Sequence, residues 1–245
     1  DGKPLNFSLL QQDSNNESLD NITIKDIEKI TRGGCPMNCH YCPFEKDVNG
    51  IPTQPRSYLS TEPGNMRATQ NKHHPVAQVY DRLRALESTG HISGFNDSSK
   101  IELIISGGTF NFYPKEYIEW FSQCAYYACN TYYDIKRVYD KDTVLLLTNE
   151  SLRLLYSLEK EKELNELSNF RIVGLTIETR PDYICPDNKG DKVIKSIDFS
   201  QLQLFRRIGV TRVQIGIQST DDFILKKINR KCTNAENKIG IRRLK

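Results

Sequence analysis

The stretch KIELIISGGTF, residues 100–110, joins a short and almost wholly apolar run to a pair of glycines. Its length and composition favour a β-strand that is buried on both faces. Such a strand is typical of a parallel sheet covered by helices. The two glycines predict a tight turn at the carboxyl end of the strand, where backbone N–H groups can face a carboxylate or an amine.

Strands and helices alternate on both sides of this stretch. Pro75 suits the first position of a helix and Gly90 the position just after its end, and apolar residues recur between them at helical spacing. The further elements that we expect are helices over 114–129 and 199–208 and strands over 170–182 and 210–219. This alternation predicts an α/β fold with a parallel sheet or barrel, which binds ligands at the carboxyl ends of its strands.

Other segments give less regular patterns. Residues 43–74 are rich in Pro, Gly, Asn and Ser, and their length favours a functional loop. Residues 143–147 fit either a strand or the lead into a helix over 149–167. The remaining expectations are an irregular or disordered lead-in over 1–20, a strand over 21–31, an irregular segment over 130–142, and a helix capped by Ser219 with Phe223, Ile224 and Ile228 on its inner side.

The composition narrows the class of protein. The 245 residues can bury a sizeable core, and 38% hydrophobic with 27% charged residues is ordinary for a soluble globular protein. No apolar run approaches the roughly 18 residues of a membrane span, and the polar stretch at 11–21 argues against secretion. A net charge of +3 does not by itself indicate nucleic-acid binding. The basic clusters at 227–231 and 242–245 fit solvated helix faces.

Three of the seven cysteines fall within eight positions, at Cys35, Cys39 and Cys42. An odd number of cysteines without secretory features argues against a disulfide framework and favours metal or redox chemistry. The other four show no ligand spacing, so we expect them to be reduced: Cys124, Cys129, Cys185 and Cys232.

This C-x3-C-x2-C stretch, residues 35–42, is called the cysteine clip below, and it fits two kinds of metal centre. A structural zinc site needs a fourth protein ligand, and His40 is poorly placed because it directly follows Cys39. A [4Fe–4S] cluster held by three thiolates leaves one iron open to a substrate or cofactor. The spacing favours the cluster, with zinc as the alternative. The more distant histidines that could complete a zinc site are His73, His74 and His91.

Three later strands are each followed by a polar or glycine-rich loop. The loops are SGGTF (106–110), ETRPD (178–182) with Glu178 and Arg180, and GIQS (216–219) with Gln218 and Ser219. Each also has a simpler interpretation, as a tight turn, a surface salt bridge and a helix cap respectively. Because the carboxyl ends of parallel strands meet at one edge, we expect these loops and the cysteine clip to form one ligand site.

The cysteine clip resembles the signature of radical S-adenosylmethionine (SAM) enzymes, in which an aromatic residue, here Tyr41, precedes the last cysteine. An ordered set of further stretches resembles the radical SAM domain of the catalytic subunit of Elongator, the tRNA wobble-uridine modifying enzyme. TIETRPDY (176–183) is the most specific of them, and the resemblance spans residues 31–245. The others are RSYLSTEPGNMRA (56–68), ISGGTF (105–110), RVQIGIQS (212–219) and INRKCT (228–233).

The resemblance implies a partial TIM-like (β/α)6 radical SAM barrel over 21–245, after the lead-in over 1–20. It implies a [4Fe–4S] cluster on Cys35, Cys39 and Cys42, with SAM chelating the open iron. Tyr41 would pack near the adenine. The residues implied at the methionine part of SAM are Gly107, Gly108 and Thr109, where Thr109 stands in place of the Glu of many radical SAM enzymes.

The resemblance also places residues of the last two loops near the ribose, carboxylate or sulfonium of SAM. They are Glu178, Arg180, Gln218 and Ser219. Of these, Glu178 and Arg180 are the candidate catalytic residues. A departure from many members is the sequence after Cys42, where Phe-Glu-Lys replaces a Gly-Gly pair.

The reaction implied by the resemblance is a radical transfer onto tRNA. One electron from the cluster cleaves SAM to a 5′-deoxyadenosyl radical, which in the family is thought to take hydrogen from an acetyl group; the resulting carbon radical then adds to C5 of the wobble uridine. The full-length enzyme would therefore be a transferase that uses acetyl-CoA and an electron donor. We expect this chain to be part of a longer protein, without the end of the SAM barrel or the acetyltransferase domain.

Binding of the tRNA anticodon stem-loop would use basic and aromatic side chains of the 43–74 segment. The candidates are Arg56, Tyr58, Arg67 and Lys72, each of which also fits a solvated surface residue. Elongator-like accessory subunits are implied as partners, no membrane is expected, and an oxygen-sensitive cluster fits the cytoplasm. The alternatives are a radical SAM enzyme with a small-molecule substrate and a zinc-stabilised binding module without enzymatic activity.

Overall fold

The computed structural model of the protein describes residues 34–93, 98–138, 152–184 and 200–245. Within these ranges lie eight α-helices and three β-strands. In chain order they are α1 (Pro63–Gln70), α2 (Pro75–Ser88), β1 (Ser99–Ile105), α3 (Lys115–Asn130), α4 (Tyr132–Val138), α5 (Leu158–Asn165), β2 (Phe170–Thr179), α6 (Ser200–Ile208), β3 (Arg212–Ile215), α7 (Asp222–Lys227) and α8 (Asn234–Leu244). None of these helices is long and apolar enough to cross a membrane.

The chain divides into two compact units. Among the described residues, unit 1 is drawn from Thr61–Leu103 and Glu116–Gly174. Unit 2 is drawn from Glu28–Ser60, Ile104–Lys115 and Leu175–Lys245. Most of the helices α1 to α5 therefore belong to unit 1, whereas the cysteine clip, α6, β3, α7 and α8 belong to unit 2.

The three strands form one sheet in the order β1–β2–β3. Strand β3 runs parallel to β2, with Thr176 opposite Arg212 and Thr179 opposite Ile215. This pairing brings the carboxyl ends of both strands to one edge, where the N–H of Gly216 donates to the carbonyl of Thr179 at 2.9 Å. The predicted α/β fold with parallel strands is confirmed.

The core of unit 2 follows from the apolar pattern of its elements. Leu175 and Ile177 of β2 are fully buried. Helix α6 buries Leu204, Phe205 and Ile208. Ile208 lies four positions after Leu204 and three after Phe205, so the three side chains share one face of the helix. The helix ends before Gly209, as its sequence predicts. A buried strand and a one-sided helix thus provide a rigid base for the loop that follows β2.

The core of unit 1 is mainly aromatic. Tyr132 of α4 lies between Tyr80 of α2 and Phe170 of β2, with ring centroids 5.3 and 4.7 Å away. Both contacts have tilted or edge-on geometry, which aromatic rings prefer to a face-to-face stack. Cys124 and Cys129 of α3 are unoxidised and buried, and burial raises the pKa of the Cys129 thiol to about 12. These cysteines therefore pack as small apolar side chains.

Several predicted elements differ from the observed ones. The expected loop over 43–74 contains α1, whose first residue is Pro63, and the expected irregular segment over 130–142 contains α4. Helix α4 forms because its inner face packs into the aromatic core and Lys136 pairs with Glu87 at 2.7 Å. Of the helix expected over 149–167, the described part from residue 152 onward is α-helical only in α5. The expectations that lie outside the described residues are those over 1–20, 21–31 and 143–147 and the state of Cys185.

The predicted cap of α7 is wrong. Asp221, not Ser219, is the cap, and its Oδ1 accepts the N–H of Phe223 at 2.8 Å. Ser219 lies two positions before the cap, and its Oγ accepts the N–H of Asp221. The shift also changes the inner face, because Leu225 is buried while Phe223 and Ile224 are exposed. Asp and Ser are both good N-caps, but only the residue directly before the first helical residue can act as the cap. Here that residue is Asp221.

Candidate cofactor site

A cavity of about 440 Å³ lies within unit 2, which is a size typical of ligand pockets. Its walls are formed by the cysteine clip, by Ser57 and Tyr58, and by residues at the carboxyl ends of the three strands. The predicted site residues that line it are Cys35, Cys39, Tyr41, Cys42, Tyr58, Gly108, Thr109, Glu178, Arg180 and Gln218. Other lining residues, which sequence reasoning did not single out, include Met37, Ser57, Gln214, Gly216 and Arg230. The predicted Gly107 and Ser219 are not among the lining residues.

The cysteine clip is held in place by hydrogen bonds to the two residues that follow α7. The N–H of His40 donates to the carbonyl of Ile228 at 3.0 Å, and the side chain of Asn229 donates to the carbonyl of Asn38 at 2.6 Å. Gly34 has a φ of +54°, and a Cβ there would lie 2.9 Å from Cβ of Pro55. A residue with a side chain is therefore excluded on both steric and conformational grounds.

The three thiols of the clip line one cavity without closing around a single ion. In the described part of the chain, no three His, Cys, Asp or Glu side chains converge so as to hold one metal ion. Of the histidines considered for zinc, His74 packs edge-on against Trp120 in unit 1, and burial lowers its pKa to about 4. The Nδ1 of His91 lies 3.3 Å from the carbonyl of Thr89. The described residues thus provide no closed four-ligand zinc site.

Two arginines surround the thiol of Cys39. Nη1 of Arg180 lies 3.3 Å from the sulfur, and Nη1 of Arg230 lies 3.8 Å from it. Burial by itself would raise the pKa of Cys39, but hydrogen bonds from Arg230 and Arg180 outweigh it and lower the pKa. The thiolate, which is the form that binds metal, is therefore favoured at this position.

Arg180 is almost completely buried and has several partners. Its guanidinium forms an ion pair with Asp182 at 2.8 Å and donates to the carbonyl of Arg230 at 2.7 Å. Burial opposes the charge, but Asp182 and Cys39 raise the pKa of Arg180, so the side chain stays cationic. The salt bridge that the simpler interpretation expects at the end of the strand is therefore present, although it is buried and does not lie on the surface. The pair with Asp182 also aims the guanidinium at Cys39.

Arg230 is the charged residue among the lining residues that sequence reasoning missed. In the sequence it belongs to the basic cluster at 227–231 and to the stretch INRKCT (228–233), and neither assigned it a role. In the structure it is 5% exposed, and it donates to Oη of Tyr41 at 3.0 Å and to the carbonyl of Gly216. Burial raises the pKa of Tyr41 to about 12, so its hydroxyl stays protonated and accepts this bond through its oxygen.

Glu178 organises the double-glycine loop after β1. Its Oε2 accepts the N–H of Gly108 at 3.0 Å and faces that of Gly107 at 3.4 Å, while Tyr58 donates to both carboxylate oxygens at 3.0 and 3.1 Å. The carboxylate that these N–H groups face thus belongs to the protein itself. Gly108 has a φ of +68°, and a Cβ there would lie 2.5 Å from Oγ of Ser57, so only glycine fits.

Phe44 and Glu45 of the Phe-Glu-Lys stretch after Cys42 contact residues of the loop that follows. The carboxylate of Glu45 accepts both the N–H and the hydroxyl of Ser60, at 2.8 and 2.9 Å, and also the side chain of Gln54. The guanidinium of Arg56 lies 3.7 Å from the ring centroid of Phe44. These contacts order the segment that presents Ser57 and Tyr58 to the cavity, which gives the stretch a structural task in place of the expected glycines.

The four residues predicted to contact tRNA do not share one environment. Tyr58 points at Glu178 and Arg56 stacks on Phe44, both within unit 2. Arg67, in α1, and Lys72, just after it, belong to unit 1 and are exposed. Tyr58 therefore lies at the cavity, whereas Arg67 and Lys72 remain predictions that rest on charge and exposure.

The residues of the cavity fit the two cofactors that the sequence predicts. Three thiols from one clip suit a [4Fe–4S] cluster with one open iron. Nε of Arg230 is buried and has no hydrogen-bond partner among the described residues, so it is available to an acceptor within the cavity. The exposed edges of Gln214 and Gln218, with Met37 and Tyr41, offer polar and apolar surface for a nucleoside and an amino-acid moiety.

Comparison with known proteins places the chain in a family. The family model described as the radical SAM superfamily matches residues 30–245. The tRNA uridine(34) acetyltransferases of Methanocaldococcus infernus and Dehalococcoides mccartyi are 35% and 34% identical to the chain, each over 80% of its length. Elongator complex protein 3 of Danio rerio is 30% identical over 78% of the chain. The chain spans 29%, 33% and 28% of the lengths of these three relatives.

A solved structure agrees with the sequence relatives. The archaeal Methanocaldococcus infernus Elp3 with an N-terminal deletion matches with a TM-score of 0.52 and 30% sequence identity, over 74% of this chain and 32% of that one. The predicted resemblance and the predicted radical SAM fold are confirmed. With the model match, the three thiols on one cavity and this structural likeness taken together, the chain belongs to the radical SAM superfamily.

Proposed function

We propose that this chain is the radical SAM domain of an enzyme that modifies C5 of the wobble uridine of tRNA with an acetyl-CoA-derived group. The observation that carries the proposal is the joint placement of Cys35, Cys39 and Cys42 on one cavity with Glu178 and Arg180. The names of the relatives support the choice of tRNA uridine 34 as substrate and of a transferase as the class of enzyme.

The chain's own residues would hold and orient the cofactors. Cys35, Cys39 and Cys42 would be the iron ligands, and Arg180 and Arg230 would keep the Cys39 sulfur in its thiolate form. When bound, the cluster and SAM supply an electron and the 5′-deoxyadenosyl radical. Near SAM, Glu178 would hold the Gly107–Gly108 turn in shape. Tyr41, Thr109 and Gln218 line the cavity and keep the SAM-contact roles that the resemblance implies for them, whereas Ser219, for which it implies the same role, is not a lining residue.

Partners follow from the same resemblance. We propose the tRNA anticodon stem-loop as the macromolecular substrate, with Arg56, Tyr58, Arg67 and Lys72 as candidate contacts. Elongator-like accessory subunits, an electron donor and a reducing compartment such as the cytoplasm complete the proposal. Acetyl-CoA would be used by a part of the protein other than residues 21–245, which we propose as the radical SAM domain.

The decisive experiment measures metal content and SAM cleavage in anaerobically reconstituted protein. We expect about four irons and four sulfides per chain, no zinc, and production of 5′-deoxyadenosine that rises when tRNA is added. Colourless protein that contains zinc would identify the zinc-stabilised module instead. A cluster that cleaves SAM without any response to tRNA would leave a radical SAM enzyme with another substrate.

We expect Glu178→Gln to weaken SAM binding about 10- to 100-fold, because the charge-assisted bonds to the glycine turn and Tyr58 contribute about 1.5–3 kcal/mol. The new amide NH2 would also face the backbone donors of Gly107 and Gly108. Equilibrium dialysis of SAM against reconstituted protein measures the affinity. Tyr58→Phe removes one donor and should have a smaller effect in the same direction. Equal SAM affinity in wild-type protein and Glu178→Gln would refute the assignment.

A further inference from the structure

Two thiols of the cysteine clip, those of Cys39 and Cys42, differ in their cationic neighbours. Cys39 has Arg180 at 3.3 Å and Arg230 at 3.8 Å from its sulfur. The sulfur of Cys42 lies 3.4 Å from the neutral hydroxyl of Ser57 and 3.7 Å from the carbonyl of Pro43. One of the proposed iron ligands therefore carries two positive neighbours in a buried setting, where charges interact more strongly than in water.

The fold holds both guanidinium groups in place. The ion pair with Asp182 orients Arg180, which also donates to the backbone carbonyl of Arg230. Arg230 lies between Asn229 and Lys231, both of which have a φ of +54°. These two exceptions to the usual backbone region, one on each side of a buried arginine, indicate that the loop is shaped to present that side chain.

One N–H donor of the Arg230 guanidinium has no acceptor among the described residues. Its Nη1 and Nη2 donate to Tyr41 and to the carbonyl of Gly216, while its buried Nε has no partner among the described residues. A buried guanidinium with an unsatisfied N–H costs stability unless an acceptor lies nearby when the site is filled. Arg230 lines the cavity and its Nη1 lies 3.8 Å from the Cys39 sulfur, so a group bound at that thiol would lie close to this guanidinium.

We propose that Arg180 and Arg230 are positioning residues that act through the Cys39 thiolate to raise the reduction potential of the cluster. The inference rests on the proposed function, since it assumes that the clip holds a [4Fe–4S] cluster. Reduction of the cluster by a one-electron donor adds one negative charge and breaks no bond. Positive charge and N–H donors near a ligand sulfur stabilise the reduced form more than the oxidised form.

The test is a redox titration of reconstituted Arg230→Gln without SAM, followed by the electron paramagnetic resonance signal of the reduced cluster. Arg230 is the better target because the carbonyl that Arg180 uses belongs to the backbone and survives the substitution. At a fixed ambient potential set with dithionite, we expect the ratio of reduced to oxidised cluster to fall about tenfold. That change corresponds to a potential about 59 mV more negative for one electron.

Two further variants separate charge from structure. Arg230→Lys keeps the positive charge without the planar fork and should give an intermediate potential. Arg206→Gln, on the exposed side of α6, removes a positive charge that does not contact the thiol and should leave the potential unchanged.

The outcomes distinguish this inference from the proposed function. If wild-type protein binds no iron or does not cleave SAM, the proposed function fails. If Arg230→Gln retains its cluster at an unchanged potential, only the role of the arginines is overturned. If Arg230→Gln loses its cluster, the potential measured for Arg230→Lys decides whether Arg230 tunes the cluster. Loss of the cluster in both variants also overturns the tuning role and indicates a purely structural one.

Discussion

Cys39→Ala is expected to abolish both the iron–sulfur absorbance of the reconstituted protein and its cleavage of SAM. Cys39 is the central thiol of the clip and is 5% exposed. Its removal would take away one proposed iron ligand and leave two buried guanidinium groups facing a methyl group. A buried charge that loses its partner is strongly destabilising. Iron and sulfide analysis, absorbance spectroscopy and a 5′-deoxyadenosine assay measure the outcome.

Cys232→Ala is the matched control. Cys232 lies in the same unit and is buried to a similar degree, but its sulfur contacts Asn237 at 3.5 Å instead of the cavity. This variant should keep its iron and its SAM cleavage. Retention of a catalytically active cluster by Cys39→Ala would contradict the assignment of the clip as the cluster ligand set.

Glu161→Ala is expected to lower the free energy of unfolding by about 3–5 kcal/mol, the cost of breaking a buried ion pair from one side. The Glu161 side chain is completely buried and accepts both Nη groups of Arg153, at 2.6 and 2.7 Å. It also accepts the Asn130 side chain at 2.8 Å and the N–H of Tyr156 at 3.1 Å. Hydrogen bonds to Glu161 raise the pKa of Arg153 against the effect of burial, so the cation would remain without its partner.

Guanidinium chloride denaturation followed by circular dichroism measures this loss. Glu163→Ala, two positions along the same helix, is the control because its side chain is 68% exposed and pairs only with Lys160 among the described contacts. An exposed pair of this kind contributes about 0–1 kcal/mol. Similar unfolding free energies for the two variants would show that the buried pair is not what stabilises unit 1.

Sequence reasoning was most successful where a segment has one dominant local signal. Helix α2 begins at Pro75 and ends at Ser88, shortly before Gly90, and α6 ends just before Gly209, because proline and glycine act on the backbone directly. Strand β1 was also predicted, but it is not buried on both faces as expected, because its residues alternate between part-buried and exposed and only Ile105 is buried. The carboxyl ends of β2 and β3 lie three and four residues before the predicted ones. At those ends the backbone leaves the sheet to form the cavity loops, and composition does not mark that change.

The misses occurred where distant contacts compete with local preference. Helix α4 has a polar sequence, yet Tyr132 and Ile135 are buried and hold it in the core of unit 1. Ser219 and Asp221 are equally plausible caps until the position of Leu225 decides between them. Arg230 looked like one basic residue among several, and only its burial at 5% exposure separates it from its solvated neighbours.

By itself, the sequence determined the α/β class, the spacing of three thiols and the presence of polar loops after the strands. These depend on residue type and on separation along the chain, which are both written in the sequence. The tertiary structure alone decided that Glu178 binds the Gly107–Gly108 turn and that two arginines meet at Cys39. Arg180 and Cys39 are 141 positions apart, and Arg230 and Cys39 are 191 apart. Contacts over such separations arise from the register of parallel strands and the path of the loops, which no local pattern encodes.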